Sequence, residues 1–223
     1  MTKKENWLLL TVLKSKKKID LENIKAILFD LDGVLIDSLY AWFSLFNATL
    51  IHFGYKPITE EVFRRHWGQS TEEDVRIFMP GTTLDEVRDY FLNHYVKYLS
   101  YLKLNPHARK ILEELTNLGL KLGCVTNSHR DIVKKILKKH DFINFFQAIV
   151  TADDVTNPKP APDILFEACK ILNVVPGEAI FLGDTQTDTE AGERAGCFIV
   201  GYRTDARMRV EDLQEFYRLL TTS

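Results

Sequence analysis

Two aspartates one residue apart, Asp30 and Asp32, follow directly on the apolar run Ala26 to Phe29 and are themselves followed by Gly33. A strand that runs straight into two carboxylates sets both at its carboxyl edge, where an open α/β sheet builds its site. The glycine then lets the chain turn sharply. A calcium loop of the EF-hand type fails by position: counted from Asp30, the required oxygen ligand, glycine and glutamate fall on Val34, Leu35 and Ala41. For this stretch alone, a solvated turn after a strand stays open.

Three further stretches have the same form. Val125-Thr126-Asn127-Ser128-His129 puts a hydroxyl and backbone N–H groups at the start of a helix beginning near Asp131. Such a start is an anion site and is compatible with simple N-capping by Asn127 or Ser128. In Asn157-Pro158-Lys159-Pro160-Ala161-Pro162-Asp163 the prolines hold the backbone of Lys159 extended and so aim the lysine, while Pro162 suits the first turn of the next helix. In Leu182-Gly183-Asp184-Thr185-Gln186-Thr187-Asp188 the two aspartates lie one helical turn apart and can face one crevice. An N-cap accounts for one of them and not both. Gathered at neighbouring strand ends, Asp30, Asp32, Asp184 and Asp188 repel one another unless a cation intervenes, and oxygen-only ligation points to Mg²⁺ with a phosphoryl oxygen completing its shell.

The elements that must position these groups follow from the pattern of apolar runs. Ala26 to Phe29, Leu122 to Val125, Ala148 to Val150, Ala179 to Leu182 and Cys197 to Val200 lack polar alternation and predict strands covered on both faces. Helical patterns lie between the later ones, at His107 to Leu118, Asp131 to His140, Pro162 to Leu172 and Thr187 to Ala195; the small residues Ala191, Gly192, Ala195 and Gly196 let the last lie close to the sheet. Alternation of this kind predicts an α/β fold, a doubly wound parallel, Rossmann-like sheet. Roughly ninety residues separate the first strand from the second, where a crossover needs about a dozen. Helices expected at Leu39 to His52, Glu60 to Trp67, Glu72 to Phe78 and Leu84 to Tyr101 fill that interval as a small inserted α-helical domain. The expected division is an N-terminal arm at 1–22, a core of 23–37 and 104–223, and the helical insert at 38–103.

Composition excludes several classes. Hydrophobic residues at 45% and charged residues at 27% belong to ordinary globular chains. With 29 Lys and Arg against 31 Asp and Glu, the net charge of −2 supplies no basic field for nucleic acid or an anionic membrane. The run Trp7 to Leu13 is too short to span a bilayer and is followed by no small-residue cleavage site; with the cluster Lys14, Lys16, Lys17 and Lys18 it reads as a solvated or surface-packed arm, a partner-docking segment being the alternative. Cys124, Cys169 and Cys197 are odd in number and lack metal spacing, so reduced, buried thiols in a cytoplasmic protein are expected.

In these four stretches, taken in order, the chain resembles the haloacid dehalogenase superfamily of phosphotransferases, from Lys25 to about residue 201, and the insert resembles the cap of its phosphoglycolate phosphatase-like and β-phosphoglucomutase-like branch. The resemblance implies Asp30 as nucleophile forming an aspartyl-phosphate and Asp32 as the acid and base. It implies Thr126, the backbone at Asn127, and Lys159 as phosphate holders. Mg²⁺ would rest on the Asp30 carboxylate, the Asp32 carbonyl oxygen and Asp184, with Asp188 supporting the lysine or the metal. Retention of Asp32 argues against the dehalogenase and phosphonatase branches. Trp42 stands where the mutases of this type carry a histidine, which argues against mutase activity. Candidates for reading the leaving group are Arg64, Arg65, His66 and Gln69 in the cap and His129 in the core.

The leading expectation is therefore a Mg²⁺-dependent phosphatase of a small phosphorylated metabolite, with 2-phosphoglycolate or a sugar phosphate the first substrates to consider, in a chain that is a monomer or homodimer. Its alternatives are a pyrophosphatase or nucleotide phosphatase on the same site, a β-phosphoglucomutase-like phosphotransferase, and a receiver-like phospho-acceptor module. The last places its acceptor on the third strand rather than the first and has no room for a cap.

Overall fold

The computed structural model describes residues 23–221, so the expected N-terminal arm at 1–22 lies outside the described residues. Six parallel strands form one sheet in the order β5-β4-β1-β6-β7-β8: β1 Ala26–Phe29, β4 Lys121–Thr126, β5 Ala148–Thr151, β6 Ala179–Gly183, β7 Phe198–Tyr202 and β8 Arg209–Val210. β1 lies centrally, with Phe29 opposite Cys124 of β4 and Leu182 of β6. Chain direction across the sheet reverses at β1, and such a switch point opens a crevice beyond the carboxyl ends of the strands. Asp30, Thr126 and Asp184 stand at or just beyond those ends.

Continuous apolar strands here mean cover on both faces. Ile27 and Phe29 pack into one apolar cluster and Ala26 and Leu28 into the other. The first face is covered by α5 (Ala108–Asn117), α6 (Arg130–Lys139) and α9 (Leu213–Thr221), the second by α7 (Asp163–Leu172) and α8 (Gln186–Ala195). On α8, a side chain at Gly192 would stand 3.0 Å from Ile199 and 3.4 Å from Phe181, so the small-residue stripe serves close packing. Neither β8 nor α9 stood out in the sequence; α9 earns its place through Phe216, fully buried and edge-on to Phe29 at 6.0 Å between ring centres.

The long interval holds α1 (Leu39–His52), α2 (Glu60–Arg65), α3 (Thr71–Phe78) and α4 (Leu84–His94), followed by a 3₁₀ segment at Tyr95–Tyr101. Two of these helices end earlier than expected for physical reasons. α2 stops at Arg65 rather than Trp67 because Trp67 leaves the helix to reach the sheet's end, and Gly68 follows at φ +87°. α4 gives way to the tighter segment at Tyr95, where aromatic and β-branched residues, weak helix formers, crowd the chain. The two connections between insert and sheet pair as an antiparallel ribbon, β2 (Ile36–Asp37) with β3 (Lys103–Leu104). Rings of the insert, Trp42 with Phe91 and Tyr95 and Phe46 with Phe63 and Phe78, extend the first apolar cluster away from the sheet.

Truncating Phe216→Ala removes a buried ring against β1 and should cost about 3–5 kcal/mol, read by urea unfolding; a loss under about 1 kcal/mol would mean that α9 does not complete the core.

Candidate active site

β1, β4 and β6 end side by side, and the residues just past them meet in one cavity. Lys159 Nζ donates to Asp30 Oδ1 at 2.7 Å, to Asp188 Oδ1 at 2.7 Å and to the carbonyl of Val125 at 3.3 Å. The lysine is buried and aimed by its own backbone: Asn127 accepts from Lys159 N at 2.9 Å and donates to the Lys159 carbonyl at 2.9 Å. Burial works against its charge, but the carboxylates of Asp188 and Asp30 more than offset this and hold its pKa above the usual value.

Asp188 serves two partners. Its Oδ2 accepts from Thr185 N at 3.0 Å and Oγ1 at 2.5 Å, closing a capping box at the start of α8, while Oδ1 meets the lysine. The N-cap is thus Thr185, which leaves Asp184 free to face the crevice. At the other helix start, Asn127 and Ser128 do not cap α6; its first N–H, on Arg130, is taken by Asp153 Oδ2 at 2.8 Å. Ser128 instead donates to Asp32 Oδ2 at 2.7 Å.

Asp32 is held by four donors: Ser38 at 2.6 Å and Trp42 Nε1 at 3.0 Å on Oδ1, Ser128 at 2.7 Å and Thr126 at 3.4 Å on Oδ2. Its carboxylate therefore stands apart from the other three, and the expected cluster of four carboxylates resolves into three plus one. Oxygens of Asp30, Asp184 and Asp188 lie within 4.8 Å of one another. Burial pushes the Asp30 carboxyl well up, Lys159 opposing this and Asp188, Asp184 and Asp32 adding to it. Burial likewise drives Asp184 up to about 8, with Asp188 adding. Asp184 Oδ1 is buried without a hydrogen-bond partner among the described residues, while Oδ2 accepts from Trp67 Nε1 at 3.1 Å. A buried orphan oxygen within a set of carboxylates fits a hard divalent cation.

The insert closes over this floor. Besides Trp67 on Asp184, the carbonyl of Gly68 accepts from Asn127 at 3.1 Å, Thr71 Oγ1 meets His129 Nε2 at 3.1 Å, and Arg88 pairs with Asp153 at 3.3 Å. The cavity beneath is walled by Trp42, Phe46, Phe63, Trp67 and Phe91, with His66, Gln69, Thr71 and Asp74 as its polar groups on the insert side.

The chain matches the haloacid dehalogenase-like hydrolases over residues 27–202. It belongs to that family. A phosphorylated carbohydrates phosphatase of Thermotoga maritima is 30% identical over 178 residues, 78% of this chain and 82% of the relative. A phosphoglycolate phosphatase of Aquifex aeolicus is 32% identical over 174 residues, with the same coverage of 78% and 82%. In fold, the chain superposes on β-phosphoglucomutase from Clostridium difficile with a TM-score of 0.77 at 22% identity, covering 88% of this chain and 97% of the other.

As a haloacid dehalogenase-like hydrolase, the chain brings Asp30, Asp32, Thr126, Asn127, Lys159 and Asp188 to one cavity, while Asp184, with an oxygen within 4.8 Å of those of Asp30 and Asp188, lines the neighbouring space. Of the residues expected to read the leaving group, His66 and Gln69 line the cavity. Arg64 and Arg65 do not: both are exposed and pair with Glu60 and Glu61 one turn back, and Arg64 lines the neighbouring space beside Trp67 and Asp184. His129 lies off the cavity, between Thr71 and Asp153 Oδ1 (2.9 Å), and ties the insert to the core. Sequence reasoning missed Ser38, Trp67 and Asp74. Asp74 follows Glu72 and Glu73 in the first turn of α3, where acidic residues are ordinary helix-start chemistry, so its type carried no signal.

Gly33, at φ +91°, sits where a Cβ would fall 2.0 Å from Asp184 Oδ2. Gly33→Ala should cost about 1–2 kcal/mol in backbone strain alone and displace Asp184 as well; unfolding at wild-type stability would show that this turn does not constrain the carboxylate.

Proposed function

We propose that the chain is a Mg²⁺-dependent phosphatase of small phosphomonoesters that works through a phosphorylated Asp30. The observation that carries this reading is the Lys159 ammonium held between Asp30 and Asp188 on the cavity floor. An anionic nucleophile approaches a phosphate dianion only if positive charge offsets the repulsion, and the lysine is already in place beside the attacking carboxylate.

Asp30 forms a bond to phosphorus as the bond to the leaving oxygen breaks. Asp32, fixed by Ser38, Trp42 and Ser128, gives that oxygen its proton. It then takes a proton from the water that attacks phosphorus on the far side, releasing phosphate and restoring Asp30. Thr126 and the backbone at Asn127 hold the phosphoryl oxygens together with Lys159. Asp30 and Asp184 with the Asp32 carbonyl would hold Mg²⁺, which when bound supplies charge stabilisation to the transferring phosphoryl group. The aromatic roof keeps bulk water from the intermediate.

Trp42 supports phosphatase over mutase. Its indole nitrogen is a donor only and is spent on Asp32, so it cannot shuttle a proton as a histidine does. A pyrophosphatase or nucleotide phosphatase needs cations for a second phosphate, and among the described residues lining the cavity Lys159 alone is a Lys or Arg.

With a generic aryl phosphate and Mg²⁺, Asp30→Asn should lower kcat at least about 1,000-fold; undiminished turnover would remove Asp30 as nucleophile. Saturating Mg²⁺ should raise the wild-type Tm by about 5 °C and leave that of Asp184→Asn unmoved. An equal rise in both would take Asp184 out of the metal site.

A further inference from the structure

The insert side of the cavity carries an acidic group that the phosphatase chemistry does not use. Asp74 lines the space, and among the described residues its side chain has one hydrogen bond, accepted from Gln69 Nε2 at 2.5 Å, and no ion pair. Gln69 Oε1 in turn lies 3.3 Å from His66 Nδ1. Burial pushes the Asp74 carboxyl up to about 7; the bond from Gln69 offsets part of this and Glu73 adds to it.

Charge across the cavity is divided. Lys159 and the proposed metal face the phosphate end. The opposite wall offers an acidic group, acceptors and the rings of Trp42, Phe46, Phe63, Trp67 and Phe91, with no Lys or Arg among the described residues. A leaving group that ends in a carboxylate or second phosphate would be desolvated against Asp74 with no cation to meet it, a like-charge arrangement that buried sites avoid. One that ends in a hydroxyl or ammonium would give Asp74 the donor it lacks, and an ammonium gains further from the aromatic faces.

Resting on the phosphatase reading, we propose that this cavity selects phosphomonoesters whose leaving group is uncharged or cationic at its far end and donates a hydrogen bond to Asp74, and that it discriminates against anionic leaving groups such as that of 2-phosphoglycolate. Asp74 is on this account a specificity residue contributed by α3.

The test compares kcat/KM of the full chain with Mg²⁺ for four probes: phosphoethanolamine, glycerol 1-phosphate, 2-phosphoglycolate, and phenyl phosphate, which has no far-end donor. At least one of the first two should exceed 2-phosphoglycolate tenfold or more, and which one leads separates ammonium from hydroxyl. Asp74→Asn should shrink that preference about tenfold, and Asp74→Lys should turn it toward 2-phosphoglycolate. Wild-type preference for 2-phosphoglycolate, or a preference unchanged in a folded Asp74→Asn, overturns the proposal while phenyl phosphate turnover keeps the phosphatase reading intact. Absence of turnover on all four probes overturns both. Should the variants unfold, the wild-type order of the four probes decides.

Discussion

Asp30, Asp184 and Asp188 are brought within 4.8 Å of one another at the end of a parallel sheet, and one ammonium, Lys159, stands among them. One positive charge cannot neutralise three carboxylates, so the group as it stands holds excess negative charge in a place poorly reached by water. Burial raises Asp30 and Asp184, which are driven to take up either protons or a cation. The surrounding structure answers this constraint. Gly33 leaves room for Asp184, Asn127 clamps the lysine backbone from both sides, and Thr185 holds Asp188 in a capping box so that its second oxygen meets the lysine.

That tension serves phosphoryl chemistry. A site balanced by its own ion pairs would gain little from a phosphate dianion, whereas a site with one lysine and an orphan oxygen on Asp184 would be completed by a divalent cation and an anionic substrate together. Asp32 stays outside the cluster because four hydroxyl and indole donors hold it toward the cavity's other side. Asp30 and Asp32, the proposed nucleophile and proton donor, sit one residue apart in the chain and in different electrostatic surroundings, which is how two like groups take different parts.

The helical insert depends on the same floor. Trp67 donates to Asp184, Gly68 accepts from Asn127 and Thr71 meets His129, so three of its contacts fall on the site or its flanks. Closure of the roof and arrangement of the floor are one packing problem. Short loops suffice because the ribbon of β2 and β3 carries both connections between the two parts. The roof also brings Asp74 over the cavity, where among the described lining residues no Lys or Arg pairs with it.

The order of most strands and helices, the place of the insert and the positions of Asp30, Asp32, Thr126, Lys159, Asp184 and Asp188 were legible in the chain itself, because apolar runs, glycines and prolines act locally and each of these groups lies on a strand or in the segment that follows one. What each side chain touches was not. Arg64 and Arg65 looked as able to read a substrate as His66 and Gln69, since a short helix gives no sign of which face it buries. Asp74 passed as a helix-start acid, β8 went unseen because two residues are too few to show a pattern, and α9 because its value lies in packing against Phe29, far away in sequence. The sequence by itself determined the family of chemistry, through groups whose positions follow from strand ends. Only the tertiary structure decided which carboxylates share a charge, which one stands apart and what the roof presents to a leaving group, because those depend on distances between segments that nothing local specifies.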